Sequence, residues 1–463
     1  MDFSLAKSMN YRSLIRVSLP CIAMMIAISV YVVVDGFFVS NFAGATPFAA
    51  LNLIYPFIMV IGSLGFMMGT GGSAYVAKLF GQGEDEKGNR AFFGCVAFTV
   101  AIGVIGSIIS MIFLPQIALW LGSDEEMLPH CVSYGRIMVL GITFFNLQNL
   151  FQSFFTTAEK PRIGFVVTII AGVTNIVMDA ILIAGCHLGV VGAAIGTVAG
   201  QAVGAIIPLV YFIRKNPTKL LLRPAAMEGR PLWIMATNGA SEFVTNISAA
   251  VVSMLLNAAL MKYYGQNGVG AYGIICYVWM IFAASFIGFN IAVAPRFSYA
   301  LGAKNHKEMQ SLFRKSLVIL LGLALIQFAL SEGLAVPLAY AFAGYNKDFL
   351  DLTVLGFRIY SITYLFLGFS MFGSAFFTAL NNGGVSMGLS FLRLGVMEVV
   401  AVLVMPTIMG GIGIWWAVPI AEGLGAIMNI LTMLAFGRRY GYRKRKGEEP
   451  IEKEPSEEEP EEA

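Results

Sequence analysis

"GATPFAALNLIYPFIMVIG" (residues 44–62) can be laid over "GQNGVGAYGIICYVWMIFA" (residues 265–283) without a gap. Gly44, Ala50, Ile54 and Met59 then meet Gly265, Ala271, Ile275 and Met280, and further on Gly81 meets Gly302, all 221 residues apart. Later, "RIMVL…SFFTTAEK" meets "RIYSI…AFFTALNN" at a spacing of 222, pairing Arg136, Phe154, Phe155 and Thr156 with Arg358, Phe376, Phe377 and Thr378. Self-similarity over half a chain marks a duplicated scaffold. Both opening stretches lack any charge, so the duplicated unit is apolar.

The rest of the chain has the same character. It is 57% hydrophobic and 12% charged, whereas soluble domains carry about 25% charge. Apolar runs of about 20 residues or more match the length that crosses a hydrocarbon core about 30 Å thick. Separated by charged or Gly/Pro-containing loops, these runs give about twelve helices, centred near residues 28, 65, 102, 145, 174, 200, 247, 285, 324, 366, 396 and 424. The expected fold class is an all-α polytopic membrane protein of two six-helix, pseudo-symmetric lobes. The expected division is 1–222 for the first lobe, 223–440 for the second, and 441–463 for a basic, then acidic, proline-punctuated tail that cannot bury a core. The first apolar run is too long for a cleavable signal and reads as a retained span.

Loop charges fix the expected orientation. Of 30 lysines and arginines, 24 fall in alternate connections beginning at the N-terminus, such as Lys78, Lys87 and Arg90 or Arg214, Lys215 and Lys219. The intervening connections hold only Lys262 and Lys347. Positive charge is retained on the cytoplasmic side, so both termini are expected in the cytoplasm and the protein in the plasma membrane. Six spans per repeat is an even number, which inserts both copies in the same sense about an axis along the membrane normal. Transporters built this way hold substrate near the midplane between the halves.

Ionisable groups inside spans are costly, by about 2.5–3.5 kcal/mol for a carboxylate even on insertion scales, and are functional by default. Asp35, Asp179, Glu242, Glu398 and Glu422 qualify. In "VTNIVMDAILI" (173–183), Asn175 and Asp179 stand at i and i+4 and share a helix face. Thr197, in the next span, returns to a similar depth. Two carboxylates, an amide and a hydroxyl are hard oxygen ligands for a small hard cation. Two neighbouring carboxylates also make a proton site, because both cannot ionise cheaply. For each acid alone, lining a wet vestibule or bonding a neighbouring helix is the plainer role. At the repeat's register Asp35 projects onto Leu256, Asn175 onto Met397 and Asp179 onto Ala401, so the acids are expected to serve one lobe only. Glu242, Glu398, Glu422 and Gln148 are candidates for the substrate cavity, and Pro20, which frees a backbone carbonyl, for a bend in the first span.

Five scattered cysteines without a CxxC pair suggest neither disulfides nor zinc. No HExxH, GxSxG or paired histidine falls in a span, so an enzyme is not expected. No cofactor or nucleic-acid partner is expected either.

These residues, in order on a six-plus-six frame, resemble the multidrug and toxic compound extrusion (MATE) family in its prokaryotic DinF-like branch. The likeness covers about residues 10–440. It rests on "LPCIAMMIAISVYVVVDGFFVSNFAG", "AALNLIYPF", "GTGGSAYVAKLFG", "FQSFFTTAEKPR" and "VTNIVMDAILI". It implies export of bulky, often cationic or amphipathic drugs from the cytoplasm, coupled to Na⁺ or H⁺, by a monomer in the lipid bilayer. It also implies a cation site made of Asp35, Tyr134, Asn175, Asp179 and Thr197. Other branches use acids of the seventh and tenth spans; Glu242 matches the former, and the tenth span has no carboxylate. A lipid-linked sugar or lipid flippase on a related fold is the alternative.

Overall fold

The computed structural model describes residues 4–42, 45–344 and 346–442. The acidic tail lies outside the described residues. Among them the elements are helical: α1 Tyr11–Phe42, α2 Ala45–Gly81, α3 Asp85–Trp120, α4 Leu128–Thr157, α5 Pro161–Asp179, α6 Gly189–Ile213, α7 Gly229–Gly302, α8 His306–Ala343, α9 Lys347–Ser361, α10 Thr363–Ala379, α11 Gly383–Ser390, α12 Val399–Met409 and α13 Ile412–Phe436. Two π-helical segments interrupt this series, Ala180–Gly185 after α5 and Phe391–Glu398 between α11 and α12.

Ten of the resulting helices are long and apolar enough to cross a membrane, and the pair α9–α10, bent by 45°, makes an eleventh crossing. At 1.5 Å per residue, the 74-residue α7 would be about 110 Å long, several times a hydrocarbon core. It is two spans joined at Gly265, whose backbone (φ 61°, ψ −150°) only glycine adopts without strain. Twelve crossing segments result, each containing one of the centres expected from sequence. α1 runs unbroken through Pro20.

Outward faces are apolar, as lipid requires. On α3, Ile105, Ile108, Ile109 and Ile112 are each more than half exposed at helical spacing. Inward faces form apolar clusters, some within one half and others shared between them, as where Met24 and Met25 of α1 pack on Ala284 of α7. Phe92, Phe151, Phe154 and Phe212 centre one in the first half, which also takes in Leu220 and Leu222 of the connection to α7. Leu256, Ile275, Phe357 and Trp415 centre another in the second.

The halves meet at the end that carries the basic loops, through glycine. A Cβ on Gly302 would collide with the Lys78 carbonyl and lie 3.2 Å from Gly81 Cα; one on Gly81 would collide with the Tyr299 carbonyl. Gly81 and Gly302 are equivalent in the repeat, so the pseudo-two-fold axis passes between them. Gly71 and Gly239 repeat this intimacy a few turns away, where a Cβ on Gly71 would sit on the Met235 carbonyl. Small residues allow such backbone contact between membrane helices. Hydrogen bonds cross the same seam, from Asn238 Nδ2 to the Gly71 carbonyl (3.5 Å) and from Asn381 Nδ2 to the Ala74 carbonyl (3.4 Å).

The N-terminal segment straps this end. The buried Arg296 of α7 donates to the Ser4 carbonyl (2.8 Å) and the Lys7 carbonyl (3.4 Å), while Leu5 N–H donates to Glu159 Oε1 (2.5 Å) of the first half. Gly302→Val should wedge the seam open by overpacking, at about 1–3 kcal/mol. We expect roughly tenfold slower transport from such a penalty, measured on protein inserted to the wild-type level. Wild-type transport would show that the halves need not close there.

Candidate functional site

The polar residues expected to gather in the first half do so. α6 presents Gly196, Gly200 and Gly204 as an edge one residue wide, at i, i+4 and i+8. A Cβ on Gly196 would collide with Asp179 Oδ1. On Gly200 it would lie 2.8 Å from the Ala171 carbonyl and 3.0 Å from Asn175 Cβ, and on Gly204 2.8 Å from Gln148 Cδ. Glycine here is what lets α6 close onto α5 and α4. Directly after Asp179 the helix widens into the π turn Ala180–Gly185, a deformation common at functional sites.

The carboxyls of Asp35 and Asp179 lie within hydrogen-bonding reach of each other. Asp179 is fully buried and Asn175 nearly so. Asn175 Nδ2 points to Thr197 Oγ1 at 3.5 Å, and the buried Tyr134 faces both carboxyls. A cavity of about 60 Å³ opens beside the carboxyl pair, lined by Asp35, Tyr134, Asn175 and Thr197 together with Tyr31, Tyr55, Gln148 and Gln201. Its size decides its use. It has room for an ion and a few waters, and it falls well short of the roughly 300 Å³ a drug-sized ligand needs.

The chemistry of the lining is one-sided. Asp35 Oδ1, both oxygens of Asp179, Asn175 Oδ1, Gln148 Oε1 and Gln201 Oε1 are buried, and none meets a donor among the described residues. Each buried acceptor left in that state costs about 1–3 kcal/mol. A proton shared by the carboxyls, or a small hard cation coordinated by the set, relieves several at once. This donor set suits Na⁺ as well as H⁺.

Gln148, read from the sequence as a residue of the substrate cavity, lines this cavity instead, and its side chain bonds that of Tyr31. Tyr31, Tyr55 and Gln201 were missed. Tyr31 precedes Asp35 by four residues and Gln201 follows Thr197 by four, so the helical neighbour rule finds both; Tyr55, on α2, had no local signal. Glu398 and Glu422 lie elsewhere, buried in the second half beside Arg393, and the half-buried Glu242 is in electrostatic reach of the same guanidinium.

The MatE family model matches residues 20–181 and again 243–404, together well over half of the chain. The chain belongs to the MatE family. Its members include multidrug export proteins: the MepA multidrug export protein of Staphylococcus haemolyticus (strain JCSC1435) is 23% identical over 450 residues, 94% of this chain and 96% of the relative. Two solved structures share the fold, an outward-facing multidrug resistance MATE transporter of the MOP superfamily and a MATE protein in a straight conformation. Each has TM-score 0.89 and 21% identity, and covers 95% of this chain and 98% of its own. The chain is thus a multi-pass membrane transporter of the MATE type, with the family model matching each half once.

A substitution on α6 tests the cavity without touching a ligand. Ions that bind only the folded protein raise its melting temperature. Gly196→Ala puts a methyl against Asp179 Oδ1 and should abolish the stabilisation of purified protein by Na⁺ or by acid. Gly322→Ala, where a Cβ meets nothing within 4 Å, should keep it. Equal ion responses in both variants would dissociate the cavity from ion binding.

Proposed function

We propose that this protein is a cation-coupled antiporter that exports bulky, often cationic or amphipathic drugs from the cytoplasm, with Na⁺ or H⁺ bound in the Asp35–Asp179 cavity. One observation carries the reading: two buried carboxyls in mutual reach, Asp35 lining an ion-sized cavity at which the amide oxygens of Asn175, Gln148 and Gln201 meet no donor among the described residues. Membership of a multidrug export family supplies the substrate class. The positive-inside distribution of loop charge supplies the direction, with both termini in the cytoplasm.

The two halves rock about the seam at Gly81 and Gly302, exposing a drug site between them first to the cytoplasm and then to the outside. That seam is shut at the end with the basic loops, which the positive-inside bias assigns to the cytoplasm. The ion drives the cycle only in so far as it binds one arrangement more tightly than the other. Asp35 on α1 and Asp179 on α5 provide the difference. With an ion between them the two helices are drawn together; without one the carboxylates repel. α1 also carries Pro20, whose missing N–H leaves a backbone carbonyl unbonded and lowers the resistance of the helix to bending.

Ethidium efflux from cells, with Na⁺ and pH gradients varied separately, identifies the ion. Asp35→Asn and Asp179→Asn should each abolish efflux, a loss of at least roughly 100-fold if the ion contributes about 3 kcal/mol of bias between states. Protein levels in the membrane should be unchanged. Undiminished efflux in either variant would remove the cavity from the coupling mechanism.

A further inference from the structure

The second half contains a polar pocket of its own, in the place the repeat assigns to the ion cavity of the first. Arg393 and Glu398 come from the π turn Phe391–Glu398, and Glu422 from α13. All three are buried, with exposures of 5%, 5% and 2%. Arg393 Nη1 bonds Glu422 Oε1 at 3.3 Å. The carboxyls of Glu398 and Glu422 lie within hydrogen-bonding reach of each other, and the buried Glu422 Oε2 meets no donor among the described residues. Tyr272 of α7 and Tyr360 of α9 lie near Glu398, with Cys276 of α7 bonded to Tyr272, and Glu242 of α7 faces Arg393.

Two positions of the repeat correspond directly: Cys276 is the equivalent of Tyr55 at 221, and Tyr360 of Met138 at 222; both Tyr55 and Met138 line the first-half cavity. At the register of 222 Asn175 projects onto Met397, so Glu398, at the end of the π turn, stands one residue past the equivalent of Asn175. Glu398 also pairs across to α13 as Asn175 pairs across to α6.

We propose that Glu398 and Glu422 hold one exchangeable proton between them, so that the second lobe carries a proton site separate from the Asp35–Asp179 cavity. Arg393 decides the ligand. Its guanidinium neutralises one carboxylate and repels a metal cation, and a single proton then neutralises the other. That proton bonds the carboxyl pair and satisfies Glu422 Oε2. Its departure leaves one uncompensated negative charge in the low-dielectric interior of the lobe, a state stable only if the lobe rearranges or admits another cation. The site thereby links the packing of the second lobe to proton supply, whichever ion the first lobe takes.

Infrared spectroscopy of the reconstituted full chain tests this through the C=O stretch of protonated carboxyls, which shifts in D₂O and vanishes when the group ionises. The Asp35→Asn/Asp179→Asn protein should retain one such band that disappears on raising the pH, and adding either Glu398→Gln or Glu422→Gln should eliminate it. Glutamine imitates the protonated acid in shape, so these variants keep the packing. Should the asparagine pair fail to fold, the same subtraction is made between wild type and Glu398→Gln. The proposal is overturned if no titrating band remains once the first-half acids are gone. It is equally overturned if the band survives both glutamine substitutions, which would place the proton on Glu242 or another acid. Because the test is read without Asp35 and Asp179, its failure leaves the first-half cation site untouched, and failure of that site leaves this one standing.

Discussion

Two carboxyl groups that touch where neither has a donor constrain the rest of the first lobe. At an effective dielectric of about 20, two full charges 4 Å apart repel by about 4 kcal/mol. The carboxyls of Asp35 and Asp179 therefore do not remain both ionised and unaccompanied. The features around them make accompaniment possible. A glycine edge on α6 brings Thr197 and Gln201 to the pocket. The π turn begins at the residue after Asp179, and Tyr31, Tyr55 and Tyr134 close the walls. The walls leave an opening of about 60 Å³, too small for the drug and large enough for what the carboxyls lack. On the proposed reading, substrate and coupling ion are separated by size, and the ion acts on the substrate through helix movement and not by direct displacement in this cavity.

Much of this was legible in the sequence because membranes simplify the code. A span must satisfy its own backbone and show lipid an apolar surface, so length and hydropathy locate it. Gly265 belongs to this legible part: Lys262, Gln266 and Asn267 around it interrupt the apolar run and separate the spans centred near 247 and 285, although the backbone continues as helix on both sides. Asn175 and Asp179 were legible because helical spacing places them together. Asp35 meeting Asp179 was not, since that contact depends on how α1 lies against α5, which pattern within one helix does not encode. Gln148 illustrates the same limit: its polarity announced a role, but only the approach of Gly204 shows which cavity it faces.

The duplication also hid part of the chemistry. A fixed register aligns Asn175 with Met397 and Asp179 with Ala401 and suggests acids confined to one half, yet Glu398, one residue past Met397, sits in a buried polar cluster of the second half. The two lobes then solve the same problem differently. The first gathers carboxyl, amide and hydroxyl groups with no cationic side chain among its lining residues. The second includes a guanidinium and leaves room for a proton. A duplicated scaffold conserves the position of a pocket more strictly than its contents, because the position follows from backbone packing and the contents from a few side chains.

The seam between the lobes shows why the two pockets can nevertheless work together. Gly81 and Gly302 are equivalents that touch, so the pseudo-two-fold axis runs through their contact and the proposed rocking motion would pivot beside it. With backbone against backbone there, a Cβ-sized displacement at the seam has no soft side chain to absorb it and must pass into α2 and α7 as rigid movement. α2 carries Tyr55 into the first pocket, and α7 carries Tyr272, Cys276 and Glu242 to the second. The two helices that meet at this contact therefore wall both polar pockets. Any change in how either pocket is filled bears on the same hinge, and no longer chain of contacts is required to connect them.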